Sequence, residues 1–316
     1  MNNPKFIYKR IWDIETEPEG KGRGADDTYQ ERMAELAISN GGCYGNGAGG
    51  SGKSKTIEII VEKLTIAKNY IYGCSFTHIA VANISQCLPE GAHTIQHFLL
   101  NKIPRIKRAI AKGHKVAIIL DESSMIPMHF WGHLANLKFL NVEFYIFGDY
   151  AGQFKPITLT DLKWDTMDTS DFMHDLCNGL KIEFKKYRRG DDFEHFKLVT
   201  SIYPTLMDLS DAFRIARTNY IDKYTPVKTT LCVSNAYRKR QNTIYNKMEY
   251  TKHPEGVFIP FLGSDSHKGQ QMYIWPGLIL QSNITEQKAQ YNIKNGLFYK
   301  IIKVSETVTF KKNRYT

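Results

Sequence analysis

The chain has 316 residues, enough for two domains of ~150 residues each. A composition with 42% hydrophobic and 12% aromatic residues excludes a disordered tail, and 42 Lys and Arg against 32 Asp and Glu leave a formal charge of +10, which favours a polyanionic partner. No apolar run approaches the ~20 residues of a membrane span, the opening MNNPKFIYKR lacks the apolar core of a signal peptide, and Cys43, Cys74, Cys87, Cys177 and Cys232 are scattered without CxxC spacing. The expectation is a soluble intracellular protein of a reducing compartment, with neither a zinc site nor a disulfide framework.

Residues 1 to 27 mix charges and glycines, and EPEGKGRGADD at 17 to 27 reads as a loop without chemistry of its own. From 28 to 40, Met33, Leu36 and Ala37 mark a helix that Asn40-Gly-Gly ends. Gln30 on that helix is a candidate for reading an adenine edge. There follows Gly47-Ala-Gly-Gly-Ser-Gly52-Lys53-Ser54, a full match to the phosphate-binding pattern GxxxxGK[ST]. Glycines there let consecutive backbone N–H groups curl round a phosphate. Gly47, Gly50, Ser51 and Gly52 are therefore expected at the phosphates of a nucleotide, with Lys53 on the β and γ phosphates and the Ser54 hydroxyl on a magnesium ion. Ile57, Ile60, Val61 and Leu64 recur at i, i+3, i+4 and i+7, so a helix opens where the phosphate sits. The preceding Gly42-Cys-Tyr44 is a candidate strand end.

Three strand-length apolar runs come next, at 70 to 76, 116 to 120 and 142 to 147, each separated from the next by helical or loop sequence. That pattern predicts a doubly wound α/β domain with a buried parallel sheet, whose ligand lies beyond the carboxyl ends of the strands. The residues after the runs, Thr77-His78, Asp121-Glu122 and Gly148-Asp149, should then face the site. Two adjacent carboxylates after an apolar strand, in a chain with a phosphate loop, suit a magnesium-holding Asp121 followed by a water-activating Glu122. Together the two motifs specify hydrolysis of a nucleoside triphosphate.

Asp121-Glu-Ser-Ser-Met125 resembles the DExSM box of superfamily 1 DNA helicases, in particular the Pif/RecD-like branch. Phe147-Gly-Asp149 with Gln153 resembles that family's third motif, which senses the γ-phosphate. Tyr187-Arg188-Arg189-Gly resembles the fourth, in which Arg188 aligns with an arginine that reaches the γ-phosphate from the second domain. Phe76-Thr77-His78 and the segment Thr94-Ile-Gln96-His97 resemble single-strand contacts, and Ser234-Asn235 resembles a further one, the "TN" segment. Pro276-Gly277 and Asn295-Gly296 look like the later strand pair of the second domain. The resemblance runs from about residue 30 to 302.

The family implies an α/β P-loop NTPase, a RecA-like parallel sheet domain at 28–178 followed by a partial second RecA-like domain at 179–316, with ATP and Mg2+ in the cleft between them and single-stranded DNA, RNA not excluded, as partner. Departures are visible: three residues stand between Gly148-Asp149 and Gln153 where the family has two, and Phe76 and Gln96 replace the usual proline and histidine. No TxHKxQG or terminal arginine motif occurs, and Ser266-His-Lys-Gly-Gln270 is a chance likeness. The expectation is that this chain alone does not unwind a duplex, being either a truncated or split product or a chain whose site a second chain completes. His93 and His97 have a helical metal spacing, but no Glu or Cys completes a set, leaving nucleic-acid contact or a helix-start role. A phosphate-loop kinase or switch, and a nucleic-acid-binding protein with a degenerate ATPase, are the other classes open to the sequence.

Overall fold

The computed structural model describes residues 10–22, 28–153, 164–201, 208–219, 232, 234–260, 270–282, 284–288 and 291–304. The chain divides into two compact units, Met1–Ile221 and Asp222–Thr316. The first contains, in order, β1 (Asp13–Thr16), β2 (Gly20–Lys21), α1 (Tyr29–Asn40), β3 (Gly42–Gly47), α2 (Lys53–Ile66), β4 (Tyr70–Ser75), α3 (His78–Ile84), β5 (Ala92–Thr94), α4 (Ile95–Asn101), α5 (Ile103–Ala111), β6 (Val116–Leu120), α6 (Met128–Lys138), β7 (Glu143–Gly148), α7 (Asp171–Leu176), β8 (Leu180–Phe184), β9 (Lys186–Tyr187), α8 (Phe193–Ser201) and α9 (Leu209–Asn219). Short 3-10 turns occupy Ser123–Met125 and Trp164–Thr169.

Seven strands form one sheet in the order β1-β8-β3-β7-β6-β4-β5, every pairing parallel. Its central strands are largely apolar because both faces are covered, β6 at every position. Along β6, Val116, Ile118 and Leu120 pack with Trp131, Phe144 and Ile146 on one face. The intervening Ala117 and Ile119 pack with Ile57, Ile60, Tyr145 and Phe147 on the other. Burying each large side chain contributes ~1.5–3 kcal/mol, so this double core fixes the strand ends that carry the site. Helix α2 buries Ile57, Ile60, Val61 and Leu64, the stripe its sequence spacing predicts. Helix α1 ends at Gly41, whose left-handed φ of 69° turns its N–H back onto Ala37 and Ile38.

The sheet extends further along the chain than expected at both ends. Residues 1 to 27 are not all loop, since β1 pairs with β8 and β2 with β9. The first compact unit runs past 178 to 221. The physical reason is β8, which hydrogen-bonds directly to the phosphate-loop strand, Tyr44 opposite Lys181 and Gly47 opposite Phe184. Strand β3 itself runs on to Gly47, beyond the segment 42 to 44.

In the second unit, α10 (Asn235–Tyr250) is followed by β10 (Val257–Ile259), β11 (Met272–Ile274), β12 (Ile279–Gln281), β13 (Glu286–Lys288), β14 (Tyr291–Ile293) and β15 (Phe298–Lys300). These strands make three antiparallel pairs, β10 with β11, β12 with β15 and β13 with β14. Helix α10 packs on β11, where Asn246 donates to Tyr273 O at 2.8 Å and accepts from its N–H at 2.7 Å. Stacked pairs Tyr250–Tyr273 at 3.9 Å and His253–Trp275 at 4.7 Å complete the contact. Among the described residues this unit contains no parallel sheet of the kind a second RecA-like domain implies. Residues 266 to 269 of the Ser266–Gln270 segment lie outside the described residues.

Candidate nucleotide-binding site

The loop between β3 and α2 is held open by glycines at two exacting points. Gly47 lies so close to β8 that an added Cβ would stand 2.7 Å from the Phe184 carbonyl, and Gly52 has φ 100° with Gln30 Nε2 and Arg188 Cδ at 2.5 and 2.8 Å from the same virtual atom. Helix α2 opens at Gly52, whose carbonyl accepts from Lys55 and Thr56 N–H at 3.1 and 3.2 Å. The amides of Lys53 and Ser54 stand in the first turn, where a helix offers no carbonyl of its own, and the positive end of its dipole points into the loop. Lys53 Nζ donates to the carbonyls of Gly47 and, at 3.0 Å, Ala48. Burial pushes its pKa down, while Asp149, Asp121 and Glu122 pull it up.

A cavity of about 690 Å³ opens over this loop and is lined by Gly50, Ser51, Gly52, Lys53 and Ser54 together with Gln30, Asp121, Glu122, Gln153 and Arg188. The structure therefore brings the expected nucleotide, metal and catalytic residues to one place within the first unit. Asp121 and Glu122 follow β6. Ser75 Oγ and Cys74 O hold the Asp121 backbone at 2.9 and 3.1 Å, and Glu122 N–H donates to Asp121 Oδ1 at 2.9 Å. Glu122 has φ 53°, a left-handed backbone that costs a non-glycine residue ~1–3 kcal/mol and here turns the side chain toward the cavity. Burial raises the pKa of both carboxyls, and the charge of Asp121 raises that of Glu122 further. Such a shift brings a glutamate nearer to neutral pH, where a base works best.

Gln153 reaches the cavity by a turn that accommodates the longer spacing. Gln153 N–H donates to Asp149 O at 3.2 Å, Gly152 N–H to Asp149 Oδ1 at 2.7 Å, and the side chain meets the Ser124 hydroxyl. Asp149 is 5% exposed and holds this turn. Gln30 Nε2 donates to Gly52 O at 2.7 Å, so in this structure it braces the loop. The Ser51 and Ser123 hydroxyls are buried without a hydrogen-bond partner, a surplus of polar capacity that suits a polar ligand.

Arg188 also lines the cavity. It belongs to the first unit, just past β9, and its guanidinium is paired with buried Glu17. Sequence reasoning missed Glu17 because its partners lie 171 residues away and one carboxylate among many carries no local signal. Also missed were Arg189 and the α8 residues Phe196, Val199 and Thr200, which line the outer cavity. Tyr187 and Phe196 stack at 4.6 Å there. The aromatic spacing in Tyr187 to Phe196 was the available clue.

The expected strand contacts separate into two groups. Ser75 of β4 lies opposite Thr94 of β5, so Thr77, His78, Thr94, Gln96 and His97 share one end of the sheet edge. Thr77 caps α3, accepting from Ala80 N–H at 3.1 Å, and the rings of His93 and His97 are 5.0 Å apart. Asn235 begins α10 in the second unit, where its carbonyl Oδ1 accepts from Arg238 Nε at 3.3 Å.

Residues 30–155 match the family model described as an AAA domain. No curated protein matches the sequence significantly. Among solved structures, the Pif1 helicase from Candida albicans is similar at 17% identity and a TM-score of 0.55, over 87% of this chain and 68% of that one. Bacteroides Pif1, solved bound to single-stranded DNA, is similar at 16% identity and a TM-score of 0.61, over 88% and 69%. The motif resemblance, the AAA match and these folds agree: the chain has the α/β P-loop NTPase, RecA-like fold that the Pif1 helicases share.

Proposed function

We propose that the chain is an ATP-hydrolysing motor of the DNA helicase type, acting on single-stranded nucleic acid. The observation that carries this reading is the convergence of Lys53, Asp121, Glu122 and Gln153 on one cavity over a helix N-terminus. The loop amides and Lys53 bind the phosphates, electrostatic work that a low-dielectric pocket strengthens. Magnesium suits Ser54 and the half-buried Asp121 carboxyl; when bound it would offset phosphate charge. Glu122 takes the proton from the attacking water, and Gln153, tethered to Ser124, orients that water. Adenine fits the outer cavity, where Gln30 offers an amide and Phe196 an aromatic face.

Support for the polyanionic partner comes from charge as well as fold. Between Glu90 and Asp121 there is no acidic residue, while Arg105, Lys107, Arg108 and Lys112 stand exposed on and just after α5. The Bacteroides protein of similar fold holds single-stranded DNA. Binding should tolerate sequence and weaken steeply with salt, because counterion release and stacking supply the affinity.

The test is phosphate release from Mg-ATP by the purified chain, with and without a single-stranded oligonucleotide. Stimulation is expected. Hydrolysis indifferent to every oligonucleotide would favour a phosphate-loop switch or kinase, and none under any condition would favour a binding protein with a degenerate site.

A further inference from the structure

We propose that Glu17 is a positioning residue for the phosphate loop and that it acts through Arg188, which serves as a strut behind the loop; this rests on reading the cavity as a nucleotide site. Glu17 continues β1, with its N–H on Glu183 O at 2.9 Å. Its side chain is 0% exposed and that of Arg188 8%. The carboxylate is held by four donors: Lys185 and Lys186 N–H, each at 3.0 Å to Oε2, Arg188 Nη1 at 3.1 Å to the same oxygen, and Arg188 Nη2 to Oε1. So many bonds fix the carboxylate plane, and the two-point pairing fixes the guanidinium against it.

Arg188 passes that constraint to the loop. Its Nη1 donates to Ser51 O at 2.6 Å and its backbone N–H to Gly50 O at 2.8 Å. In a trans peptide the carbonyl and the following N–H point in opposite directions. Turning the Gly50 and Ser51 carbonyls toward Arg188 therefore turns the Ser51 and Gly52 N–H groups away from it. The Ser51 N–H closes the loop on Ala48 O at 3.2 Å, and the Gly52 N–H is turned away from Arg188, free to face a phosphate when nucleotide binds. The close approach of Arg188 Cδ to Gly52 places the strut against the same peptide.

This assignment differs from a γ-phosphate contact in a measurable way. A strut that shapes the loop acts on any nucleotide with α and β phosphates, so ADP and ATP suffer equally when it is lost. An arginine on the γ-phosphate acts on ATP alone and shows chiefly in turnover.

The experiment is equilibrium binding of a fluorescent ADP analogue and of a non-hydrolysable ATP analogue to the full chain. It compares the parent, Glu17→Gln, the neutral pair Glu17→Gln with Arg188→Met, and Lys53→Ala as the reference for a lost site. The neutral pair is included because a single change strands a buried charge and endangers folding; circular dichroism reports whether it folds. The expected result is a rise in Kd of about tenfold or more, equal for ADP and the ATP analogue, in a folded neutral pair, as loss of charge-assisted hydrogen bonds implies. Binding of ADP within about twofold of the parent, or a rise confined to the ATP analogue, overturns the inference while leaving the nucleotide site standing if Lys53→Ala still fails to bind. A folded parent that binds neither analogue overturns the nucleotide reading, and this inference with it.

Discussion

The two units of the chain use their residues in different ways. In the first, a seven-stranded parallel sheet has its central strands packed on both faces, and the fully buried side chains include Trp131, Tyr44, Tyr145, Phe98 and Phe144. In the second, helix α10 buries nothing and, among the described residues, only Trp275 is a buried hydrophobic, while Val257, Phe258, Ile279 and Phe298 are exposed. The difference teaches where precision is needed. The described residues that line the candidate nucleotide cavity come from the first unit, and most sit on strand ends or helix starts whose positions the double core dictates. Small displacements of such groups cost catalysis heavily, so a rigid sheet is the appropriate support.

The comparison can be broken first by stability. Phe144→Ala removes a fully buried ring from β7 and should cost ~3–5 kcal/mol. Ile279→Ala, at a side chain 61% exposed on β12, should cost within ~0.5 kcal/mol. Urea unfolding of the two variants checks this, and equal losses would mean that the second unit is as tightly packed as the first. Next in size is chemistry. Glu122→Gln keeps the volume and loses the base, so turnover should fall by ~10²-fold or more while nucleotide still binds and stability changes little. Matching losses of binding and turnover would give Glu122 a structural role instead.

The smallest expected effect is in pH dependence. Burial and the Asp121 charge raise the Glu122 pKa, and a base must be ionised, so turnover should decline as pH falls through a value above the ordinary glutamate range. The nearby charge of Arg189 holds that pKa down, so Arg189→Gln should move the acid limb to higher pH. A pH–rate profile for each protein measures the shift, and a limb that stays in place would separate Glu122 from the rate.

What could be read from the sequence was whatever left a local pattern. The strands β4, β6 and β7 are mostly apolar runs because both sheet faces are covered, and the stripe on α2 has the helical period, so each was visible in a short window. Strand β8 was not. Its sequence Leu180-Lys-Ile-Glu-Phe184 alternates, one side turned to the core and the other carrying the Lys181–Glu183 pair, and it merges into the basic run that follows. Strand β8 places the residues that follow it, Arg188 among them, in the first compact unit. Gln153 was legible by motif, but the turn that brings it to Ser124 depends on Asp149 accepting hydrogen bonds from Gly152 and Gln153. Glu17 was illegible because its meaning lies wholly in contacts with β9 and the loop beyond it, across long chain separations.

The central claim is that the loop from Gly47 to Ser54 and the carboxylates at 121 and 122 form a nucleotide site. It is tested most directly by calorimetric titration of Mg-ATP into the parent chain and into Lys53→Ala. Lys53 is the loop cation that lines the cavity beside Asp121 and Glu122, so the account predicts saturable one-to-one binding by the parent and a loss of affinity of at least ~100-fold in the variant, with both proteins folded. Equal affinity in the two proteins, or no binding by a folded parent, would contradict it.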